Sequence, residues 1–300
     1  MGFYCKGYDF SHKYEVVLGV TIGGRWVGIA SEFMGISLIA TLIACGVVTN
    51  MMSAIFGIGG GVLMVPIFLT LFPHFPIQMV AATSLSIVIA TACINLVNFV
   101  RLRIPLSYKS LCMWSLGMIV GVQLGFELSF YVPRDYIVGF FVLTMLTLSV
   151  KTFLKRSTDG KECSLPTTKE SLKGTAFCTV GGGIAGFTGI GGGSIMAPLI
   201  NQLNFVSKKQ VPVYTNYMMV IGGLGSMYGY ITKPIDFVAE GMWQLGYINL
   251  TVVMTVVAAS FVTSFFSIKI SNLLSSRVAN LLLGLILLGI GIYTFCLEII

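Results

Sequence analysis

Apolar runs recur along the chain at about 35–56, 79–100, 110–131 and 136–154, then at 174–188, 211–232, 246–268 and 278–298. Such runs read as membrane helices, since about 20 apolar residues span about 30 Å of hydrocarbon. Two shorter pieces, 62–72 and 194–204, each follow a glycine loop, at 57–61 and 189–193. Eleven helical residues rise only about 16 Å, half a bilayer. Pro66 and Pro198 shorten the helical part further, because proline is best tolerated in a first turn. Residues 155–173 break the pattern. They are polar and basic, contain Gly160 and Pro166, and read as a linker.

The same order of elements appears on both sides of that linker. GIGGGVLMVP at Gly57–Pro66 returns as GIGGGSIMAP at Gly189–Pro198, identical at seven of ten positions and offset by 132 residues. The offset holds without a gap as far as Gln78/Gln210 and Thr83/Thr215. An internal repeat in so apolar a chain points to a duplicated membrane protein with a broken helix at the same place in each half. The expected fold is all-α and integral to the membrane. It divides into an N-terminal appendage (1–34), a first repeat (35–154), a cytoplasmic linker (155–173) and a second repeat (174–300). Eight full crossings plus two half-helices broken at the GIGGG loops would make the halves parallel. If the short pieces cross, a five-plus-five inverted repeat results. The distribution of Lys and Arg does not choose between them. Both arrangements place the 101–109 loop and the central linker in the cytoplasm. Met34 directly precedes the first strong run and is a candidate start, and residues 1–34 suggest no fold.

Composition narrows the class. Apolar residues make up 56% and charged residues 10%, with a mean hydropathy of +0.92, whereas soluble domains carry about a quarter charged residues. The net charge of +7 suggests nucleic-acid binding until its position is considered. Most of the basic residues lie between or at the edges of apolar runs, where they orient membrane proteins. No nucleic-acid partner is expected. The seven cysteines are scattered without a CxxC pair, so neither a disulfide framework nor a zinc site is expected.

The glycine loops are the best candidates for chemistry. Glycine permits positive φ, so successive N–H groups can converge on one point. Each loop also opens a short helix, whose N-terminus favours an anion. Gly59, Gly60 and Gly61 in the first loop, and Gly191, Gly192 and Gly193 in the second, are therefore expected to bind substrate. Thr83 and Ser84 occupy the positions that Thr215 and Asn216 occupy in the second half, and would complete the hydrogen bonds. Asn50, Ser53, Asn95 and Asn98 in the first half, and Thr188, Ser194, Asn201, Ser226 and Tyr228 in the second, are further polar residues inside apolar runs, where polar groups need partners and often line pathways. Gly117, Gly121 and Gly125, and Gly225 with Gly229, have the spacing of close helix packing. Glu127 is either a proton relay or a residue reaching the interface. Trp114 and Tyr131 suit an interfacial belt, and His74 a turn. GGGIAG at Gly181–Gly186 fits a dinucleotide fingerprint by letter, but follows no strand and is a chance match. With two His and no paired carboxylates in the runs, no metal, cofactor or acid–base pair is expected, and the protein is not read as an enzyme.

The repeated GIGGG-x-x-M-x-P, each copy followed by a Thr-containing polar patch, resembles the TauE/SafE family of sulfite exporter-like membrane proteins over residues 35–298. Ala81-Ala82-Thr83-Ser84 is similar to that family's first-half patch, and Val213-Tyr214-Thr215-Asn216 keeps only the Thr. The resemblance implies a multi-pass permease or exporter in the cytoplasmic membrane, carrying sulfite, a sulfonate or a related small anion. The partners expected are that anion and the lipid bilayer, with a homo-oligomer left open. An anion channel and a non-transporting membrane scaffold are the alternatives. No P-loop motif is present, so direct ATP drive is not expected.

Overall fold

Helices account for nearly all the structure. The computed structural model describes residues 20–22, 25–27, 29–101, 106–154, 168–189, 193–200, 203, 206, 210–233, 237, 242–273 and 276–299. Two compact units divide at Thr41/Leu42. The first contains an antiparallel strand pair, β1 (Val20–Ile22) and β2 (Arg25–Val27), registered Val20↔Val27 and Ile22↔Arg25. Helix α1 (Ile29–Phe56) begins there, five residues before Met34.

Among the described residues, the second unit contains the rest of α1 and nine further helices. Two are short: α2 (Gly61–Leu71) and α7 (Gly193–Ile200). The long ones are α3 (Ile77–Arg101), α4 (Tyr108–Ser129), α5 (Arg134–Leu154), α6 (Thr168–Thr188), α8 (Val211–Thr232), α9 (Leu250–Leu273) and α10 (Ser276–Ile299). Five spans, in α1, α3, α4, α5 and α9, are long and apolar enough to cross a membrane by length and composition. The chain is an all-α, multi-pass membrane protein.

Local sequence explains several helix ends. α5 follows Pro133 and carries Asp135 in its first turn and Lys151 in its last, both favoured by the helix dipole. Pro212 sits in the first turn of α8, where its missing N–H costs nothing. The run at 246–268 does not start as a helix. Gln244–Leu245 (β3) and Ile248–Asn249 (β4) form a hairpin, with Gly246 at φ 56° between them. α9 begins one residue later, capped by Asn249 Oδ1, which accepts the Val252 N–H at 3.1 Å. α6 extends back to Thr168, into the stretch read as linker, with Glu170 in its first turn. Residues 155–167 lie outside the described residues.

The spaced glycines pack helices. A Cβ at Gly117 would lie 2.9 Å from the Thr175 carbonyl oxygen, and one at Gly125 2.7 Å from the Phe187 nitrogen. From the other side, a Cβ at Gly182 would lie 2.8 Å from the Met118 carbonyl oxygen. GGGIAG is therefore the face of α6 that lets its backbone approach α4 closely. Gly225 and Gly229 serve likewise against Ile119 and Phe126.

These contacts give helix directions. Gly117 meets Thr175 and Gly125 meets Gly183, so α4 and α6 run parallel. Met118 faces Gly222 and Phe126 faces Gly229, so α4 and α8 are parallel too. Ala82 clusters with Tyr230, while Ile89 meets Gly223, so α3 and α8 are antiparallel. Gly284 meets Phe153 and Gly291 meets Met145, which makes α5 and α10 antiparallel. Gly46 packs on Val256 and Ala259, while Asn50 binds Ser260 and Ser267, so α1 and α9 are parallel.

α1 and α3 run the same way. Gly57, at the end of α1, lies on Pro212, and Ser107, six residues past α3, donates its N–H to Tyr214 Oη at 2.7 Å. Both helices thus end beside the start of α8. Two re-entrant half-helices with parallel halves would require α1 and α3 to run in opposite directions. Between them lie α2 and the segments 57–60 and 72–76, which add length to an 11-residue helix.

Candidate functional site

The first glycine loop is built by two left-handed residues. Gly57 has φ 71° and Gly59 φ 58°, values that a side chain makes costly. Gly57 N–H closes α1 on the Ser53 carbonyl at 3.0 Å, and Gly61 N–H turns back to the Gly59 carbonyl. Leu63 and Met64 donate to the Gly60 carbonyl at 3.1 and 3.3 Å, which starts α2. The N–H groups of Ile58, Gly59, Gly60 and Val62 then have no partner among the described residues. They belong to a fully buried loop at the positive end of a helix dipole. Ile58 and Val62 were not expected to take part, and Gly61, which was, has its N–H already engaged. Gly60 has φ −27°, so left-handed geometry does not demand glycine there. Thr49 does, because a Cβ on Gly60 would overlap the Thr49 side chain and lie 2.7 Å from its Cα.

The second loop begins alike. Gly189 has φ 73°, and its N–H reaches the Ala185 carbonyl at 2.8 Å. Gly193 opens α7. Gly191 and Gly192 lie outside the described residues.

Each loop crosses onto a helix of the other half. A Cβ on Gly57 would lie 2.6 Å from Pro212 Cα and from the Thr215 hydroxyl, on α8. A Cβ on Gly189 would lie 2.6 Å from Ala81 Cα, on α3. Ala81 is offset by 132 residues from Val213, the residue after Pro212, so the two crossings fall within one residue of equivalent positions. The loops also meet each other. A Cβ on Gly193 would lie 2.5 Å from the Ile58 carbonyl carbon and 2.6 Å from Met219 Sδ. Met219 also borders Gly59, together with Val88.

The polar residues divide around this crossing, and all four are buried. Thr215 lies against Gly57, its hydroxyl donating to the Val211 and Pro212 carbonyls at 2.9 and 3.0 Å. Asn216 accepts from Ser53 Oγ at 3.2 Å and donates to the Pro212 carbonyl at 2.7 Å. Ser84 Oγ donates to the Gly61 carbonyl at 3.4 Å. Thr83 turns elsewhere, accepting the Asn249 N–H at 3.1 Å before α9. Among the described residues, the buried side-chain polar atoms without a partner are Thr49 Oγ1, Asn50 Oδ1, Ser115 Oγ and both amide atoms of Asn95. Thr49 carries no sequence signal beyond being a hydroxyl in an apolar run, and its place against Gly60 is a tertiary fact.

Two other expectations resolve differently. Trp114 is fully buried, not in an interfacial belt; it donates to the Ser171 carbonyl at 3.0 Å and packs on Tyr214. Glu127 forms an ion pair with Lys233 at 2.7 Å, and the ammonium stands 3.9 Å from the Phe130 ring centroid. Tyr131 and His74 are exposed.

A family model described as Sulfite exporter TauE/SafE matches residues 42–294. A "Probable membrane transporter protein" of Haemophilus influenzae is 49% identical over 267 residues, covering 89% of this chain and 99% of that protein. A similarly named protein of Methanocaldococcus jannaschii is 21% identical, with 87% and 97% covered. The "Probable membrane transporter protein YunE" of Bacillus subtilis is 23% identical, with 83% and 94% covered. No solved structure matches the chain.

Proposed function

The chain belongs to the sulfite exporter TauE/SafE family of membrane transporters, and from that membership we propose that it carries a small anion across the cytoplasmic membrane. Sulfite, a sulfonate or a related organic anion is the substrate class. One observation carries this reading: four buried N–H groups, of Ile58, Gly59, Gly60 and Val62, have no acceptor among the described residues, at the N-terminus of α2. Buried donors are ordinarily paired. Donors at a helix N-terminus suit a negative charge. By the sequence repeat, Gly191, Gly192 and Gly193 would supply the counterpart donors from the second half.

The arrangement of the halves is part of the proposal. Long helices at equivalent positions run in opposite directions, which supports the five-plus-five inverted repeat over parallel halves. Inverted repeats give alternating access by rocking around a site at their interface. Met219, Val88 and Thr49 pack directly on the first loop, which supports a gated carrier over an open anion channel.

The test is uptake into proteoliposomes holding the purified full chain. The panel is radiolabelled sulfite, thiosulfate, a short alkylsulfonate and a small carboxylate, with a sugar and an amino-acid cation as controls. Saturable uptake of at least one anion, and of neither control, is expected. Uptake of the controls with none of the anions would refute the proposal.

A further inference from the structure

Two buried side-chain oxygens on α1, eight and seven residues before Gly57, have no partner among the described residues. Asn50 is fully buried, and its Nδ2 donates to the Ser260 carbonyl at 2.8 Å and to Ser267 Oγ at 3.2 Å. Ser267 Oγ itself donates to the Thr263 carbonyl at 2.9 Å, so it faces Asn50 as an acceptor. The amide cannot turn over without setting Oδ1 against a carbonyl oxygen. Its orientation is thus fixed by chemistry, and Oδ1 is left with no donor among the described residues. The next residue back, Thr49, is equally buried, and its hydroxyl has no partner among the described residues either. Thr49 is also the residue whose Cβ and Cγ2 face Gly60, which puts it against the first loop.

Three features identify the kind of ligand. First, the orphaned atoms are oxygens; the Thr49 hydroxyl can donate or accept, but Asn50 Oδ1 can only accept, so an anion does not suit the pair. Second, the donor set is neutral. No group of three His, Cys, Asp or Glu occurs among the described residues, so the chemistry favours a hard monovalent cation over a divalent or soft one. Third, the feature is not duplicated. The residues offset by 132 from Thr49 and Asn50 are Gly181 and Gly182, which pack α6 against its neighbours. A ligand here is additional to the one the repeated loops share. The negative end of α1, at Phe56, lies less than two turns beyond Asn50 and favours a positive charge.

We propose that Thr49 Oγ1 and Asn50 Oδ1 are ligands of a sodium ion that binds together with the anion. The inference rests on the anion site proposed above. Its physical basis is charge pairing: an anion held by neutral donors in a dry site is costly, and a cation bound beside Gly60 offsets that cost. Each ion then raises the other's affinity by the same factor, as linkage requires.

The test separates sodium binding from transport. Purified full-length protein is titrated with NaCl against choline chloride at constant ionic strength, and thermal unfolding is followed without added substrate. Stabilisation that saturates with Na⁺ and is absent with choline is expected. Asn50→Ala and Thr49→Val should each raise the half-saturating Na⁺ concentration at least tenfold, and Asn50→Asp, which adds a charge, should lower it. Anion uptake into proteoliposomes should then depend on Na⁺ in the wild type, with its half-saturation shifted in Asn50→Asp. No sodium-specific stabilisation of the wild type, or an unchanged half-saturation in all three variants, overturns the proposal, as it would if an ordered water filled the site. Anion uptake indifferent to Na⁺ overturns the coupling and leaves the anion reading intact. A sodium response without uptake of any anion overturns the transport reading instead.

Discussion

Gly59→Ala tests whether the first loop is a binding backbone or only a packing device. Gly59 has φ 58°, and an alanine held there costs about 1–2 kcal/mol. Its Cβ would lie 2.9 Å from Val88 Cγ1 and 3.0 Å from Met219 Cε. Both are side-chain ends, and the methionine terminus can swing aside, so the steric part is relievable. If the loop relaxes toward negative φ, the Gly59 and Gly60 N–H groups change direction and no longer present the proposed anion contact. Losing one hydrogen bond to a charged ligand costs about 1.5–3 kcal/mol, a tenfold to hundredfold loss of anion affinity. The assay pairs anion-uptake kinetics in proteoliposomes with thermal unfolding in detergent. Gly59→Ala should raise the half-saturating anion concentration by that factor while the folded state loses only about 1–2 kcal/mol. Met219→Ala in the same chain distinguishes the causes. It removes the closest steric contact, that with Met219, but leaves φ unchanged, so it should not rescue uptake. Full rescue by Met219→Ala, or wild-type affinity in a merely less stable protein, would mean that Gly59 serves packing alone.

Three further outcomes are expected. In a five-plus-five arrangement a cysteine placed at Ser157 is cytoplasmic and a tag after Ile300 is on the opposite side; in intact cells the first should resist an impermeant thiol reagent and the second should bind antibody, and two cytoplasmic positions would restore the parallel reading. Gly125→Ala drives a Cβ to 2.7 Å from the Phe187 nitrogen, and overpacking of this kind costs about 1–3 kcal/mol, so a clear drop in thermal stability is expected and unchanged stability would show that α4 and α6 separate freely. Glu127→Gln breaks the pair with Lys233, but both side chains are partly exposed, at 43% and 30%; such pairs contribute at most about 1 kcal/mol, so unfolding should shift by less than that, and a larger loss would mark the pair as part of a buried network.

The sequence by itself settles what depends on local composition and periodicity. Apolar runs separated by basic gaps make a multi-pass helical membrane protein, because hydrocarbon tolerates little else. The repeated GIGGG locates the breaks in both halves, because only glycine adopts φ near 60–70° without strain, as at Gly57, Gly59 and Gly189. The GxxxG spacing of α4 identifies a packing face for the same reason. None of these needs a partner to be known. Other features depend on what stands opposite, and only the tertiary structure decides them. Trp114 has the composition of an interfacial residue, yet Gly174 and Tyr214 enclose it. Gly60 looks equivalent to Gly59, but Thr49 from the preceding helix makes it indispensable in a different way. Thr83 and Thr215 match in register, but one caps the approach to α9 and the other lies on the loop. Helix direction is the largest case. Charge bias was equal for both topologies, so no one-dimensional signal could distinguish a half-helix that returns from one that crosses. The contacts of Gly57 with Pro212 and of Ser107 with Tyr214 place the ends of α1 and α3 together, and a pairing so distant in sequence exists only once the chain has folded.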